Sequence, residues 1–475
     1  MKKLTCDYIN NLTMIDSALC VSDNFDIIKK PLAIGNDEIT IYFIDGFAKD
    51  TVMQKLMTYF ISLTSLPQSA SEFIKNNTPY IETDATDSLD VITKMVLSGA
   101  SVLIGSTFGE NAVIIDARTY PARNTTEPGN DRVMRGAHDG FVETLIFNTA
   151  LIRRRIRDTK LKMIYKSAGD SSCTDIAVCY VEGAADKSLV TEVINKIEKI
   201  KTDALVLGHQ SLAECLIESK WYNPFPKIRY TERPDVAAAQ LLEGSIIVLC
   251  DNSPEAMILP TSIFDFLQET NDYYFPPVTG TYIRIVRNIT FFSTLFITPL
   301  WFLFIKNPEY TPAWLSFIIP TEAAKIPIIA QLLLVEFMID ILKLASMNTP
   351  SMLSNSLSVI GGLILGDFAV EAGWVLPEVI LYMAFISVGN FSQPSYELGY
   401  AFKFVRLLLL VLTALFNALG FILGTLIFVI LLATNKTLGG RRRYLYPVIP
   451  FNAKALSHLL VRVSKNANDK TKKPL

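Results

Sequence analysis

The sequence has little with which to hold a metal or build a disulfide scaffold. Its six cysteines stand at positions 6, 20, 173, 179, 215 and 250, with no CxxC pair and no zinc-type spacing. Reduced thiols are expected, with Cys173, Cys179 and Cys250 in or beside apolar, strand-like runs. The three histidines, His138, His209 and His458, are far apart and share no ligand spacing, so no metal site is expected. No P-loop, GxSxG, HExxH or Rossmann glycine run beside a strand occurs. The chain is therefore not expected to be an enzyme, to carry a cofactor or to drive active transport alone. Charge of one sign is also missing: 44 Lys and Arg face 46 Asp and Glu. Bulk charge thus names no partner, and none of nucleic acid is expected. The start, MKKLTCDYINN, has two lysines but no apolar run behind them, so no cleavable signal peptide is read there. The soluble-looking N-terminal part is expected to stay on the side where it is made.

What the sequence does have is unevenly spread. Half of the residues are hydrophobic and mean hydropathy is +0.32. Up to about Tyr274 charges recur every few residues; after Val278 they thin out. Five apolar stretches follow: Ile289–Ile305, Ile326–Ala345, Ser356–Val375, Leu376–Phe391 and Phe404–Ala433. Arg284 and Arg287 precede the first. Lys436 and Arg441-Arg442-Arg443 follow the last, in a basic tail whose only acid is Asp469. Both flanks read as cytoplasmic, so an even number of crossings is expected, and four is the count chosen. In that count Ile326–Ala345 does not cross fully. It carries Glu336, Asp340 and Lys343 on one helical stripe. Three readings compete for it: an interfacial amphipathic helix, a helix lining an ion path in an oligomer, or a helix packed on a partner subunit. Ser356–Val375 holds Gly361, Gly362 and Gly366, small residues that let membrane helices approach. It also holds Asp367 and Glu371, which need cations, protons or water, or else cap a helix end near the interface.

The part before the membrane stretches repeats itself. Ile39–Leu56 and Ile176–Val193 each read as strand, acidic-Gly turn and helix, with Gly46 and Gly183 offset by 137. Asp90-Val91 and Asp235-Val236 each open a helix that ends in Gly99 or Gly244, offset by 145. Strands follow at Ser101–Gly105 and Ser245–Cys250, then at Ala112–Asp116 and Ala256–Leu259. The Asp45-Gly46 and Glu182-Gly183 pairs are read as turn chemistry and not as catalysis. Between the copies a helix with Arg153, Arg154, Arg155, Arg157 and Lys160 is read as a basic linker; a lipid or nucleotide contact and an oligomer interface are the alternatives. The expected fold class is an α/β soluble region of two similar duplicated subdomains, followed by an all-α multi-span membrane domain. The expected boundaries are 1–134 and 166–275 for the subdomains, 135–165 for the basic linker helix, 276–435 for the membrane domain and 436–475 for the tail.

Four segments carry a resemblance. They are RGAHDGFVETLIFNTALIRRRIR at Arg135–Arg157, NDYYFPPVTGTYIRIVRNITFF at Asn271–Phe292, SVIGGLILGDFAVEAGWVLP at Ser358–Pro377 and QPSYELGYAFKFVRLLLL at Gln393–Leu410. Together they resemble the A-subunit family of spore germinant receptors, the GerA family, and the first leans toward its stage V sporulation protein AF branch. Family members more often carry a neutral residue where Asp367 stands. The resemblance implies a protein of the inner membrane of the bacterial spore, with both termini on the core side. It further implies a subunit of an oligomeric cation channel that promotes or amplifies ion release in germination. Implied partners are copies of the same chain, membrane lipid, a small membrane protein and germinant-receptor subunits. Glu336, Asp340, Asp367 and Glu371 become hypothetical pore or vestibule residues, because rings of acids favour cations. A non-conducting scaffold that organises receptors is the alternative.

Overall fold

The computed structural model describes residues 2–48, 50–119, 135–218, 220–322, 324–348, 361–362, 366, 368–439 and 444–462. The chain divides into two compact units. One, the head, comprises Met1–Glu218 and Ile228–Thr261; the other, the helical unit, comprises Ser219–Lys227 and Ser262–Leu475.

The head is a tandem duplication built on two antiparallel five-stranded sheets. The first copy runs α1 (Tyr8–Leu19), β1 (Ile27–Ile34), β2 (Asp37–Ile44), α2 (Asp50–Ile61), α3 (Ala70–Asn77), β3 (Thr83–Thr86), α4 (Leu89–Leu97), β4 (Ser101–Gly105) and β5 (Ala112–Ile115). The second repeats this order as α5 (Leu145–Arg155), β6 (Leu161–Ala168), β7 (Thr174–Val181), α6 (Lys187–Glu198), α7 (His209–Leu216), β8 (Arg229–Thr231), α8 (Pro234–Leu242), β9 (Ile246–Cys250) and β10 (Ala256–Leu259). The strand orders correspond: β1-β2-β4-β5-β3 and β6-β7-β9-β10-β8.

Alternation along the strands explains the layering. On β2, Tyr42 and Ile44 join Ile15, Leu19, Ile92 and Val96 of α1 and α4 on one face. Ile39 and Ile41 join Met53, Leu56, Phe60 and Phe73 of α2 and α3 on the other. Successive side chains point to opposite faces, so a strand apolar at every position calls for helices on both sides. Gly99 and Gly244 end α4 and α8 with φ of +100° and +99°, the left-handed stop that lets each helix feed directly into a strand.

The helix read from sequence as a linker between the copies is the first element of the second copy. Asn11 in α1 accepts from the Thr5 amide at 2.8 Å and donates to the Thr5 carbonyl at 2.7 Å. Asn148 in α5 does the same to Val142, at 2.8 and 2.6 Å. The two asparagines share the 137-residue offset of Gly46 and Gly183. The basic run concealed this, because the position of Arg153 is held by Asp16 in the first copy.

All six cysteines are free thiols. Burial pushes the Cys179 and Cys250 thiols up, each to about 12. A thiol reagent acts on the thiolate. At neutral pH a maleimide is therefore expected to label the exposed Cys6, Cys173 and Cys215 and to spare Cys179 and Cys250 until the chain is unfolded. Mass spectrometry of the labelled native protein checks this, and early modification of Cys250 contradicts it.

The helical unit contains α9 (Pro277–Lys306), α10 (Ile328–Asn348), α11 (Pro377–Phe391), α12 (Tyr396–Thr434) and α13 (Ala453–Leu460). Among the described residues two helices, α9 and α12, are long and apolar enough to cross a membrane. α12 is not one straight rod, and this corrects the reading of Phe404–Ala433 as a single stretch. Asn417 has φ 58° and ψ −134° and breaks the helix. The Phe402 and Phe428 rings lie 5.7 Å apart; in a continuous helix the two residues would be about 39 Å apart. A Cβ on Gly424 would sit 2.7 Å from Leu409 Cδ2, so glycine lets the returning limb press on the outgoing one. The hairpin's apex rests on the end of α9, where the Asn307 and Asn417 amides exchange bonds of 2.6 and 2.7 Å. Lys306 Nζ donates to the Ala414 carbonyl at 2.7 Å, supplying a donor at the end of the first limb, where helix carbonyls lack partners.

Candidate functional site

At the start of α9 a charge clamp holds two arginines, with Arg284 Nε donating to Asp272 at 3.3 Å. Arg287 donates to Asp272 at 2.7 and 2.9 Å and to Glu269 at 2.7 Å. From Arg287 to Asn307 the helix rises about 30 Å, the thickness of a bilayer's hydrocarbon core. Near the Asn307 end Tyr310, Trp314 and Phe317 are exposed, as aromatic residues at a membrane interface are.

Within that length lies a second cluster. Arg406 Nη2 donates to both carboxylate oxygens of Glu336 at 2.8 Å, and Nη1 donates to the Thr294 carbonyl at 3.0 Å. Lys403 Nζ stands 3.3 Å from Glu336 and pairs with Asp340. Arg406 is 1 % exposed and Glu336 7 %. Thr294 is seven residues beyond Arg287, so the cluster sits roughly 10 Å deeper along α9 than the clamp. Helical spacing builds it. Glu336 and Asp340 are i, i+4 on α10, and Lys403 and Arg406 are i, i+3 on α12, so each pair shares one helix face. Glu336 meets Arg406 while Asp340 meets Lys403, which makes α10 antiparallel to the first limb of the hairpin. Lys343 completes the stripe, with its ammonium 5.2 Å from the Phe391 ring centre and 5.7 Å from that of Tyr400.

Among the side-chain oxygens of this unit that are buried without a hydrogen-bond partner among the described residues are those of three membrane-region side chains, Asp340 Oδ1, Glu378 Oε2 and Asn390 Oδ1. Glu378 and Asn390 belong to α11. That helix runs opposite to α9: Tyr382 stacks 4.5 Å from Trp301, and a Cβ on Gly389 would lie 2.6 Å from Thr294 Cγ2.

The remaining residues singled out in the sequence fall as follows. Glu371 is exposed, in the short turn Ala369–Glu371. Asp367 lies outside the described residues. A Cβ on Gly361 would come within 2.5 Å of Leu342 Cδ2 on α10, whereas one on Gly362 or Gly366 would meet nothing within 4 Å. In the head, Arg153 is fully buried. It bonds Asp26 of the first copy at 2.8 and 2.9 Å, Asn24 at 3.1 Å and the Leu161 carbonyl at 3.2 Å. Arg155 holds Asp139 at 2.6 Å, while Arg154 and Arg157 are exposed. Arg153 thus ties one copy to the other. Sequence reasoning missed Lys403 and Arg406. The usable signal was a cationic pair at helical spacing in an apolar helix, matched to an acidic pair in another.

The family model described as Bacillus/Clostridium GerA spore germination protein matches residues 15–474. The chain belongs to the GerA family. Stage V sporulation protein AF of Bacillus subtilis (strain 168) is 38% identical, over 93% of this chain and 90% of that protein. Spore germination protein KA of the same organism is 27% identical, over 95% and 84%. Spore germination protein A1 is 28% identical, over 89% and 87%. Among solved structures, the N-terminal domain of the A subunit of the Bacillus megaterium spore germinant receptor GerK3 aligns with a TM-score of 0.41 and 25% identity, covering 54% of this chain and 96% of that one. The GerA relatives are spore germination proteins, and the match to the family model includes both the duplicated head and the helical unit.

Proposed function

We propose that this GerA-family chain is a multi-pass protein of the inner spore membrane and a subunit of an oligomeric cation channel that promotes or amplifies ion release in germination. The observation that carries this reading is Asp340 Oδ1, a buried carboxylate oxygen with no donor among the described residues. Leaving such an acceptor unmet costs about 1–3 kcal/mol or more. A permeating cation, ordered water or a neighbouring copy would meet it. Asp340, Glu336, Asp367 and Glu371 are the proposed pore or vestibule acids, with Gly361, Gly362 and Gly366 as helix-packing positions. The few helices of one chain are too small to enclose a wide aqueous path, so a ring of identical chains is required. The hairpin brings both ends of α12 to one side of the membrane, and with the arginines in the first turns of α9 and the basic tail it supports cytoplasmic termini. Lipid, a small membrane protein and germinant-receptor subunits are the proposed further partners. Asp340→Asn combined with Asp367→Asn and Glu371→Gln is expected to lower cation flux several-fold in proteoliposomes and potassium release from germinating spores. Unchanged flux in a properly inserted variant contradicts the channel.

One observation favours a second reading. Glu336 and Asp340 are each paired with a cation of their own chain, which suits a non-conducting scaffold that organises receptors. Particle symmetry separates the two: a closed ring with an axial water path supports conduction, and a monomer bound to receptor subunits supports the scaffold.

A further inference from the structure

The two copies of the head differ most in one loop. In the first, α3 ends at Asn77 and β3 begins at Thr83. In the second, α7 ends at Leu216 and β8 begins only at Arg229. The longer connection includes Lys220-Trp221-Tyr222-Asn223-Pro224-Phe225-Pro226-Lys227. Its residues Ser219–Lys227 pack as part of the helical unit, although the chain on either side of them belongs to the head. Two contacts fix the loop there. Asn223 Nδ2 donates at 3.2 Å to the carbonyl of Leu431, in the last turn of α12. Phe225, 3 % exposed, has its ring 6.1 Å from those of both Phe402 and Phe428. The flanking prolines restrict φ on either side of Phe225 and hold the loop in one shape.

That fixture leaves Trp221 96 % exposed and Tyr222 49 % exposed. The two rings meet edge to face at 5.9 Å, and the Lys220 ammonium lies 5.6 Å from the Tyr222 ring centre. A fully exposed tryptophan is costly in water, since its ring carries some of the largest apolar area of any side chain. This one stands where α12 ends. The returning limb of that helix exposes Leu419, Ile422, Leu426, Val429 and Ile430, a surface suited to lipid tails. A Trp-Tyr pair beside lysine at the end of such a surface matches the chemistry of the headgroup level: rings at the boundary, ammonium reaching to phosphate.

We propose that Lys220, Trp221 and Tyr222, on the loop that packs within the helical unit, form an anchor in the lipid headgroup layer. The proposal rests on the membrane-embedded reading of α9 and α12 and is independent of ion conduction. Phe225 and Asn223 set the anchor's depth, and Trp221 and Tyr222 make the lipid contact.

The test uses the full chain in nanodiscs of phosphatidylcholine and phosphatidylglycerol. The lipids are brominated either near the headgroup end of the acyl chains or near their methyl ends. Co-elution with the nanodisc reports embedding, and its failure would count against the membrane reading. Tryptophan emission of the wild-type chain minus that of Trp221→Phe isolates the Trp221 signal. This signal is expected to be quenched about twofold or more by shallow bromine relative to deep. Phe225→Ala, still embedded, is expected to lose that preference as the loop detaches. A Trp221 signal untouched by either lipid, as for a ring in water or against a protein, overturns the anchor. So does stronger quenching from the bilayer centre.

Discussion

Arg153→Met is expected to destabilise the head by about 3–5 kcal/mol, because it leaves the Asp26 carboxylate buried with its partner gone. Arg153 and Asp26 are both 0 % exposed. The guanidinium also serves Asn24 and the Leu161 carbonyl, so one truncation opens contacts on both copies. Asn24 Oδ1 additionally accepts from the Met163 amide at 3.0 Å, which makes the junction a shared network and not an isolated pair. Thermal unfolding of the purified chain checks the loss. The double variant Asp26→Asn, Arg153→Met is expected to recover part of it, since no charge is then stranded. A change below about 1 kcal/mol for the single variant would mean that this pair does not hold the copies together. Arg154→Ala, on the same helix but exposed, is the control and is expected to shift stability by at most about 0.5 kcal/mol.

The second large effect concerns the helical unit. Arg406→Leu strands Glu336 among apolar helices, with an expected loss of about 3 kcal/mol. Lys403, 3.3 Å away, still offers some compensation. Adding Lys403→Met removes that and is expected to bring the loss to about 5 kcal/mol. The companion Glu336→Leu, Arg406→Leu removes both members of the pair, and most of the stability is expected to return, since well-packed apolar residues replace a buried ion pair at little cost. The fraction of chain surviving heating as a monodisperse peak in detergent reads all three. If the double variant is as unstable as the single, packing around Arg406, and not its charge, holds α10 to the hairpin. If it is stable yet flux falls, the ion pair acts in conduction, so the same series also bears on the proposed function.

The identified family and the proposed channel stand on different residues. Membership in the GerA family follows from a match that extends over nearly the whole chain. The channel reading draws on one buried carboxylate oxygen and on the acids near it, and the mutual neutralisation of Glu336 with Arg406 shows what any ion path must contend with. In the proposed channel, a cation passing close to Asp340 would compete with Lys403 for the same carboxylate. In this arrangement the lysine therefore acts as a built-in counter-ion, and a path through this cluster would open only as Lys403 withdraws.

Several features were legible in the sequence because they are local. The alternating strands, the glycine stops after α4 and α8 and the repeat of acidic-Gly turns each depend on backbone preferences of a few neighbouring residues, so the duplicated α/β head could be read from spacing alone. The apolar length of α9 and the flanking arginines were legible for the same reason. Other features depended on which residues meet across long separations. The segment around Arg153 looked like a linker because its charges masked an offset shared with α1, and only packing shows that Arg153 reaches back to Asp26. Phe404–Ala433 looked like one long span, because a single asparagine amid apolar residues does not by itself announce a reversal. Asn307 pairs with Asn417 at the apex, and Gly424 and Gly420, where a Cβ would collide with the Leu412 carbonyl oxygen, let the limbs close, but these relations exist only in three dimensions. Composition and periodicity thus determined the elements and their order, whereas tertiary structure decided the partners of the buried charges. A charge leaves water only against a partner, and that partner can lie anywhere along the chain.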